Sequence, residues 1–357
     1  MPAFHVATAA RSYDVIVENG VARRAAAYLP VGCGKIFVVS TNDVFHHVGA
    51  AMREALREVP HELLMLPGGE NTKRLAPLEA LAGQMLELGA DRTSVVLAFG
   101  GGIVTDMAGF LAAIFMRGIP VIQIPTTLLA QVDAAIGGKT GVNLEGGKNL
   151  IGSFHQPLSV LVDPALLATL PPREYRAGLY EVIKSGVIAS PTLFELLEQQ
   201  REAVLRQEGP TVEWIIAECV RIKAEVVSAD EREMGLRKIL NFGHTVGHAL
   251  EAETAYTRFL HGEAVAFGML AATRLAQLTG HAPGPVAARI DALVRAYGPI
   301  PEVAGIDAAA LQKRLVSDKK TQQGNVHFVL PTAIGATQIV SGVDPALVRQ
   351  AIEYALA

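Results

Sequence analysis

The segment TSVVLAFGGGIVTDMAGF, residues 93–110, decides the fold because it predicts a strand, a tight turn and a helix in succession. Residues 93–99 form a short apolar run with β-branched side chains, which is typical of a strand. Gly100, Gly101 and Gly102 follow it, and a helical pattern begins at Ile103. This order indicates one βα unit of a parallel sheet.

Similar short runs recur on both sides of this segment, between helical patterns. They cover residues 35–40, 62–66, 120–124 and 159–162. After the linker signal Pro171-Pro172 the pattern is helical almost throughout, with one late strand near 326–330. The later helical patterns cover residues 174–207, 212–229, 244–255, 263–279 and 286–297. We predict an α/β domain over 1–172 and a helical domain over 173–357, with a small-molecule site in the cleft between them.

Length and composition limit the function classes. At about 150 residues per domain, 357 residues indicate two domains. The chain has 31 Lys+Arg against 35 Asp+Glu, so no basic excess indicates a nucleic-acid partner. Its two cysteines, Cys33 and Cys219, fit a reducing compartment. No apolar run approaches the roughly 20 residues that span a bilayer, and residues 1–17 lack a signal-peptide pattern. We expect a cytoplasmic protein without a membrane partner.

The glycine turn is a candidate phosphate site. Bare glycines let backbone N–H groups approach a phosphate, and the following helix N-terminus adds partial positive charge. The spacing departs from G-x-G-x-x-G, and about 20 residues later there is Ile122 instead of a ribose-binding acid. A tight strand-to-helix turn is the alternative. Asn42 and Asp43 are candidates for an adenosine ribose, although each alone is more typical of a polar turn.

Three histidines predict a metal site. His244 and His248 lie four residues apart, on one helical face, and His261 follows soon after. Imidazole and carboxylate groups suit zinc-like ions, and the spacing favours His244 and His248 as a ligand pair. The completing carboxylate stays open among Glu181, Glu251, Glu253 and Glu263. From spacing alone, Glu181 and Lys184 are more typical of a surface ion pair.

Several cations stand beside glycines or inside apolar runs, where charge is costly unless it is paired. These are Lys139, Lys148, Lys184, Arg237, Lys238, Lys319 and Lys320. Several lysines in glycine-rich turns indicate an anionic ligand.

Together these segments resemble the 3-dehydroquinate synthase family over nearly the whole chain. The matching segments are 100–106, 125–127, 133–143, 147–152, 181–184, 235–237, 241–251 and 261–269. The resemblance implies an α/β NAD-binding domain with a mainly parallel sheet and an all-helical C-terminal metal-binding domain. It also implies conversion of a seven-carbon sugar acid phosphate to a carbocycle and phosphate, with NAD reduced and reoxidised in each turnover.

The same resemblance implies a role for each matching residue. One zinc or cobalt ion would be bound by Glu181, His244 and His261. His248 would then not be a ligand, in contrast to the prediction from spacing, but a neighbour of the metal that handles a proton. Catalytic roles would fall to Lys184, His248, Asp133, Arg237 and Asn241, and substrate contacts to Arg117, Lys139, Lys148, Asn149, Lys223, Lys319 and Lys320. The cofactor residues would be Asn42, Gly68, Gly69, Glu70, Asn71, Thr72, Lys73, Gly102, Ile103, Val104, Thr105, Asp106, Thr126, Thr127, Lys139, Lys148, Leu166, Leu167, Ala168 and Thr169.

Arg117 is expected at the end of a helix that runs from Ile103 to Met116. One interpretation is that Arg117 is a solvated cation that complements the negative end of the helix dipole. The resemblance implies instead that Arg117 reaches the substrate phosphate of the neighbouring subunit in a homodimer.

Three other functions stay open at this point. Cyclases acting on sedoheptulose 7-phosphate or glucose 6-phosphate would share NAD, metal and fold. A related metal-dependent polyol or alcohol dehydrogenase would release NADH. A catalytically silent nucleotide-binding module would need none of the chemical residues, all of which are present.

Overall fold

The structure is a computed structural model that describes residues 2–317 and 326–357. The chain forms two compact units, the first of Met1–Tyr175 with Gly209–Arg232 and the second of Arg176–Glu208 with Glu233–Ala357. Within the described residues, no helix combines the length and the apolar character needed to cross a membrane.

The strands are β1 (Ala3–Val6), β2 (Tyr13–Val17), β3 (Ile36–Thr41), β4 (Glu62–Leu66), β5 (Val95–Gly100), β6 (Val121–Pro125), β7 (Lys139–Leu144), β8 (Gly147–Phe154), β9 (Ser159–Val162), β10 (His327–Ala333) and β11 (Ala336–Ser341). The helices are α1 (Asn42–Ala55), α2 (Leu75–Glu87), α3 (Gly102–Ile114), α4 (Pro172–Ala189), α5 (Pro191–Gln199), α6 (Arg201–Leu205), α7 (Gly209–Ala229), α8 (His244–Glu253), α9 (His261–Leu278), α10 (Gly284–Ala296), α11 (Ala308–Ser317) and α12 (Pro345–Leu356).

The first unit is built on a seven-stranded sheet in the order β1-β2-β9-β6-β5-β3-β4. Only the β1–β2 pair of this sheet is antiparallel, so the predicted mainly parallel sheet is confirmed. Strand β5 is buried along its whole length because both faces of the sheet are covered. Val96 and Ala98 join the core that includes α2 and α3, while Leu97 and Phe99 join the core that includes α1.

The division between the units differs from the predicted boundary at 172/173. Helix α7, expected in the second domain, belongs to the first unit. It packs against β1, β2 and the turns Ala130–Ala134 and Pro164–Thr169, which are all parts of that unit. Periodicity identifies a helix but not which body its apolar face covers.

Three further expectations are corrected. The pattern over 174–207 is not one helix: Ser190 accepts a hydrogen bond from the Leu193 N–H and caps α5 ahead of Pro191. The second unit is not all-helical, because β10 and β11 form an antiparallel hairpin. Lys139 and Lys148, predicted to lie in glycine-rich turns, belong to the two strands of the hairpin β7–β8.

Helix α3 ends two residues before its predicted end at Met116. A short turn over Phe115–Arg117 follows it, with positive φ at Met116 (48°) and Arg117 (69°). Gly118 continues the positive region with φ 118°. Arg117 therefore lies beyond the last turn of α3, in a backbone conformation that is costly for side chains other than glycine.

Candidate functional site

The predicted cofactor residues share one location in the first unit. Asn42, Gly68, Gly102, Thr126 and Leu166 come directly or shortly after β3, β4, β5, β6 and β9 respectively. These five strands are parallel and adjacent, so the residues lie along the carboxyl edge of the sheet. In open parallel sheets this edge is where ligands bind.

The three positions of the turn differ in whether local packing requires glycine. A Cβ on Gly100 would lie 2.5 Å from Val104, and one on Gly101 would lie 2.9 Å from Thr127. A Cβ on Gly102 would make only ordinary contacts, at 3.5 Å and beyond. Local packing therefore explains the first two glycines, which is the tight-turn interpretation, but it does not explain Gly102 at the start of α3.

Lys73 is a buried lysine that contacts two other predicted site residues of the same unit. Its Nζ donates to Asp106 Oδ2 at 2.5 Å and to Asn149 Oδ1 at 2.6 Å. Burial raises the pKa of the Asp106 carboxyl above its ordinary value, and the Lys73 ammonium opposes that shift. Two predicted cofactor residues and one predicted substrate residue are thus joined directly.

A second chain of contacts links Glu70 to the hairpin β7–β8. Asn143 donates to Glu70 Oε1 at 2.7 Å and accepts from the Asn149 N–H at 2.8 Å. Lys148 Nζ lies 3.5 Å from Glu70 Oε1. Asn143 was not selected as a site residue from the sequence, where nothing in KTGVNL indicates that this amide is buried.

The remaining substrate candidates of the first unit divide into buried and exposed groups. Lys223 on α7 pairs with Asp133, and both side chains are mostly buried. Lys139, at the start of β7, and Arg117 are exposed. Lys319 and Lys320, the remaining lysines of the predicted set, lie outside the described residues.

In the second unit the three histidines meet. One ring nitrogen from each of His244, His248 and His261 lies within 4.8 Å of the others. His244 and His248 are on α8, and His261 is the first residue of α9. The sequence prediction of a histidine cluster is therefore confirmed as geometry.

Glu181 is the carboxylate that faces two of these rings. Its Oε1 lies 3.7 Å from Nε2 of His244 and 3.7 Å from Nε2 of His261. Glu253 pairs with Arg314, and Glu263 accepts from the Leu260 N–H at the start of α9. Glu251 contacts the opposite side of His261, at Nδ1.

The expectation of a surface ion pair between Glu181 and Lys184 is wrong in its location. The i,i+3 pair exists, but both side chains are only 1% exposed. Sequence spacing indicates that the two residues share a face of α4, whereas burial of that face depends on the helices packed around it. A buried carboxylate beside two imidazoles is a strong candidate for cation binding.

Glycines allow the three helices to bring these side chains together. A Cβ on Gly262 of α9 would lie 1.8 Å from the Ala177 carbonyl oxygen of α4. A Cβ on Gly268 would lie 1.8 Å from the Gly243 carbonyl oxygen, and one on Gly247 would lie 2.8 Å from that of Ala264. Gly247, Gly262 and Gly268 are thus required for close backbone approach.

Two more predicted residues lie just before α8, in the turn Leu236–Asn241. Arg237 is 1% exposed, and Asn241 donates through Nδ2 to Glu233 Oε1. Glu233 has a φ of 60°, a strained value for a non-glycine residue. It was not selected from the sequence, where nothing distinguishes it from other acidic loop residues.

Comparison with known proteins agrees with this geometry. The family model for the 3-dehydroquinate synthase N-terminal domain matches residues 63–177, and the C-terminal model matches 178–321. A 3-dehydroquinate synthase from Solibacter usitatus is 61% identical over 100% of both chains. One from Koribacter versatilis is 48% identical, over 98% of this chain and 96% of that protein.

Solved structures give the same fold. A 2-deoxy-scyllo-inosose synthase complexed with carbaglucose-6-phosphate, NAD+ and Co2+ matches with a TM-score of 0.89 and 27% identity, covering 98% of this chain and 99% of the other. A 2-epi-5-epi-valiolone synthase from Streptomyces hygroscopicus with NAD+ and Zn2+ bound matches with a TM-score of 0.87 and 28% identity, covering 98% of each chain. The predicted combination of an α/β domain with a mainly parallel sheet and a helical C-terminal domain is therefore confirmed, with the β10–β11 hairpin as a correction.

Proposed function

The chain belongs to the 3-dehydroquinate synthase family, and we propose that it converts 3-deoxy-D-arabino-heptulosonate 7-phosphate to 3-dehydroquinate and phosphate. This is a carbon–oxygen lyase reaction of the shikimate pathway, which leads to the aromatic amino acids. The observation that carries the proposal is the buried Glu181 carboxylate that faces two imidazoles beside Lys184. Relatives of that name at 48–61% identity support this substrate over those of the other cyclases.

We propose Glu181, His244 and His261 as the ligands of one divalent metal, zinc or cobalt. A carboxylate oxygen and two imidazole nitrogens are suitable donors, and the buried negative charge of Glu181 favours a cation. Bound there, such a cation is a Lewis acid that lowers the pKa of a substrate hydroxyl. His248, whose ring lies 5.3 Å from that of His244 between centroids, is the neighbour that handles a proton.

NAD is the proposed cofactor of the first unit, along the carboxyl edge of its sheet. The N-terminus of α3 at Gly102 favours the pyrophosphate, and Asn42 is near the adenosine. Bound there, NAD+ would supply reversible hydride transfer at a substrate ring carbon that bears a hydroxyl group. The two solved relatives that contain NAD+ support this assignment.

The proposed role of this chain's cations is to hold a substrate with two anionic groups, a carboxylate and a phosphate. Lys139, Lys148, Lys223 and Arg237 are proposed to bind its carboxylate and phosphate, which orients the ring for reaction. Asp133 holds Lys223, and Asn149 holds Lys73, so both lysines are fixed before substrate arrives. Lys184 and Asn241 complete the proposed set of described residues, and Lys319 or Lys320 stays a prediction.

We also propose a homodimer in which Arg117 enters the neighbouring subunit's site. The consecutive positive φ angles of Met116 and Arg117 support a functional role, because strained non-glycine residues cluster at functional sites. The cytoplasmic location expected from the sequence stays a prediction.

The activity itself is tested by redox balance. With catalytic NAD+ and the seven-carbon substrate, we expect phosphate release to exceed the NAD+ supplied many times over. Because the hydride is returned in each turnover, absorbance at the NADH band should stay flat. NADH accumulating in proportion to substrate consumed would instead support the dehydrogenase alternative.

Gly102→Ala tests the cofactor cradle. A methyl group here meets only ordinary contacts within the protein, and Gly→Ala at a position with a compatible backbone typically stabilises a protein by about 0.4–1 kcal/mol. We therefore expect the melting temperature to hold or rise while NAD+ affinity falls at least about tenfold, if backbone N–H groups approach the pyrophosphate. NAD+ titration by calorimetry measures this, and unchanged affinity would assign Gly102 to the tight turn alone.

Substitution of the proposed ligands separates them from His248. Glu181→Ala, His244→Ala and His261→Ala should each lower metal content by elemental analysis. His248→Ala should retain its metal and lose rate by about 10²- to 10⁴-fold, as is typical for a lost acid–base group. Metal loss in His248→Ala equal to that in His244→Ala would mean that the spacing interpretation was right.

Mixed dimers test Arg117. Arg117→Ala and Lys139→Ala subunits are each expected to be inactive, Lys139 acting within its own chain. If Arg117 acts across the interface, one site of a mixed dimer has both residues, so activity should reappear on mixing. Mass spectrometry verifies that the subunits have exchanged. If activity does not recover in such a verified mixture, the proposal is contradicted.

A further inference from the structure

Glu251 lies against the far side of His261 from Glu181. Both carboxylate oxygens of Glu251 are 3.4 Å from His261 Nδ1, whereas Glu181 Oε1 is 3.7 Å from His261 Nε2. The imidazole is thus held between two carboxylates, one at each ring nitrogen. Glu251 is 1% exposed, so its charge cannot be compensated by bulk water.

His244 has the same arrangement with a different partner. Its Nδ1 lies 3.1 Å from the Phe242 carbonyl oxygen, and its Nε2 faces Glu181 Oε1 at 3.7 Å. A carbonyl only accepts hydrogen bonds, so a neutral His244 ring donates from Nδ1 and keeps the Nε2 lone pair available. The Glu251 carboxylate is likewise an acceptor, and it faces Nδ1 of His261.

The position of Glu251 on α8 explains how one helix serves both ends of this arrangement. His244, His248 and Glu251 are spaced i, i+4 and i+7, so all three lie on the same face. The first and second turns of α8 each supply one imidazole, and its third turn supplies an acceptor for an imidazole on α9.

We propose that Glu251 is a positioning residue that fixes His261 as its Nδ1–H tautomer and directs Nε2 toward the metal. This inference rests on the proposed metal site formed by Glu181, His244 and His261. A carboxylate behind a ligating imidazole orients the ring and raises the basicity of its other nitrogen, and losing it typically weakens metal binding about 10- to 100-fold.

The test compares Glu251→Gln with Glu251→Leu, and uses Glu253→Gln as the matched control. Gln keeps the size and one acceptor oxygen, whereas Leu removes both the charge and the acceptor. Glu253 is on the same helix but pairs with Arg314. Co2+ affinity of the metal-free full-length protein is measured by chelator competition, with the d–d absorption of cobalt as the signal. Nitrogen-15 NMR of the metal-free protein reports the His261 tautomer, and melting temperatures establish that each variant is folded.

We expect Co2+ affinity about tenfold weaker in Glu251→Gln and up to about 100-fold weaker in Glu251→Leu. Glu253→Gln should bind as the wild type does, and His261 should lose its Nδ1–H preference only in Glu251→Leu. If both Glu251 variants keep the wild-type Co2+ affinity and the wild-type tautomer of His261, the proposed role of Glu251 is wrong, while the proposed metal site stands. A wild-type protein that binds no Co2+ would overturn the metal site itself, and the inference with it.

Discussion

The carboxylate of Glu181 is the constraint on which the second unit's site depends. It is 1% exposed and would be strongly unfavourable in a helix core without positive partners. Lys184, one turn along α4, supplies one positive charge, and the Nε2 atoms of His244 and His261 face the same oxygen. A buried pair broken by removal of one partner typically costs about 3–5 kcal/mol. The unit therefore maintains a charged centre that a simple apolar core would not need, and the proposed metal site gives a functional reason for it.

Close helix packing follows from this requirement. Glu181, His244 and His261 come from α4, α8 and α9, and their side chains meet only if the three backbones approach closely. Gly247, Gly262 and Gly268 supply that approach, because each would place a Cβ within 2.8 Å of a carbonyl oxygen of another helix or its preceding residue. In the first unit, the sheet brings the predicted site residues together. Its parallel strands end at one edge, so loops distant in sequence share one location. Neither arrangement requires residues that are neighbours in the chain.

The sequence pattern correctly predicted features that depend on residues close together in the chain. The strand at 62–66 and the pairing of His244 with His248 on one helix face follow from periodicity, and both are present. The hairpin β7–β8 was missed because Lys, Gly and Asn in 139–154 favour turns, while its strands are stabilised by pairing and by packing of β7 on α3. The assignment of α7 to the first unit, the burial of Lys184 and the selection of Glu181 over Glu253 and Glu263 all depend on tertiary contacts. Resemblance to the family selected Glu181 where spacing left four carboxylates open.

The most direct test of the buried carboxylate as a metal ligand is an anomalous difference map of crystals grown with Co2+, recorded on both sides of the cobalt absorption edge. The account predicts one strong peak coordinated by Glu181, His244 and His261, with His248 and Glu251 outside the coordination sphere. A peak coordinated by His248 in place of Glu181, or by Glu251 at Nδ1 of a rotated His261, would contradict it.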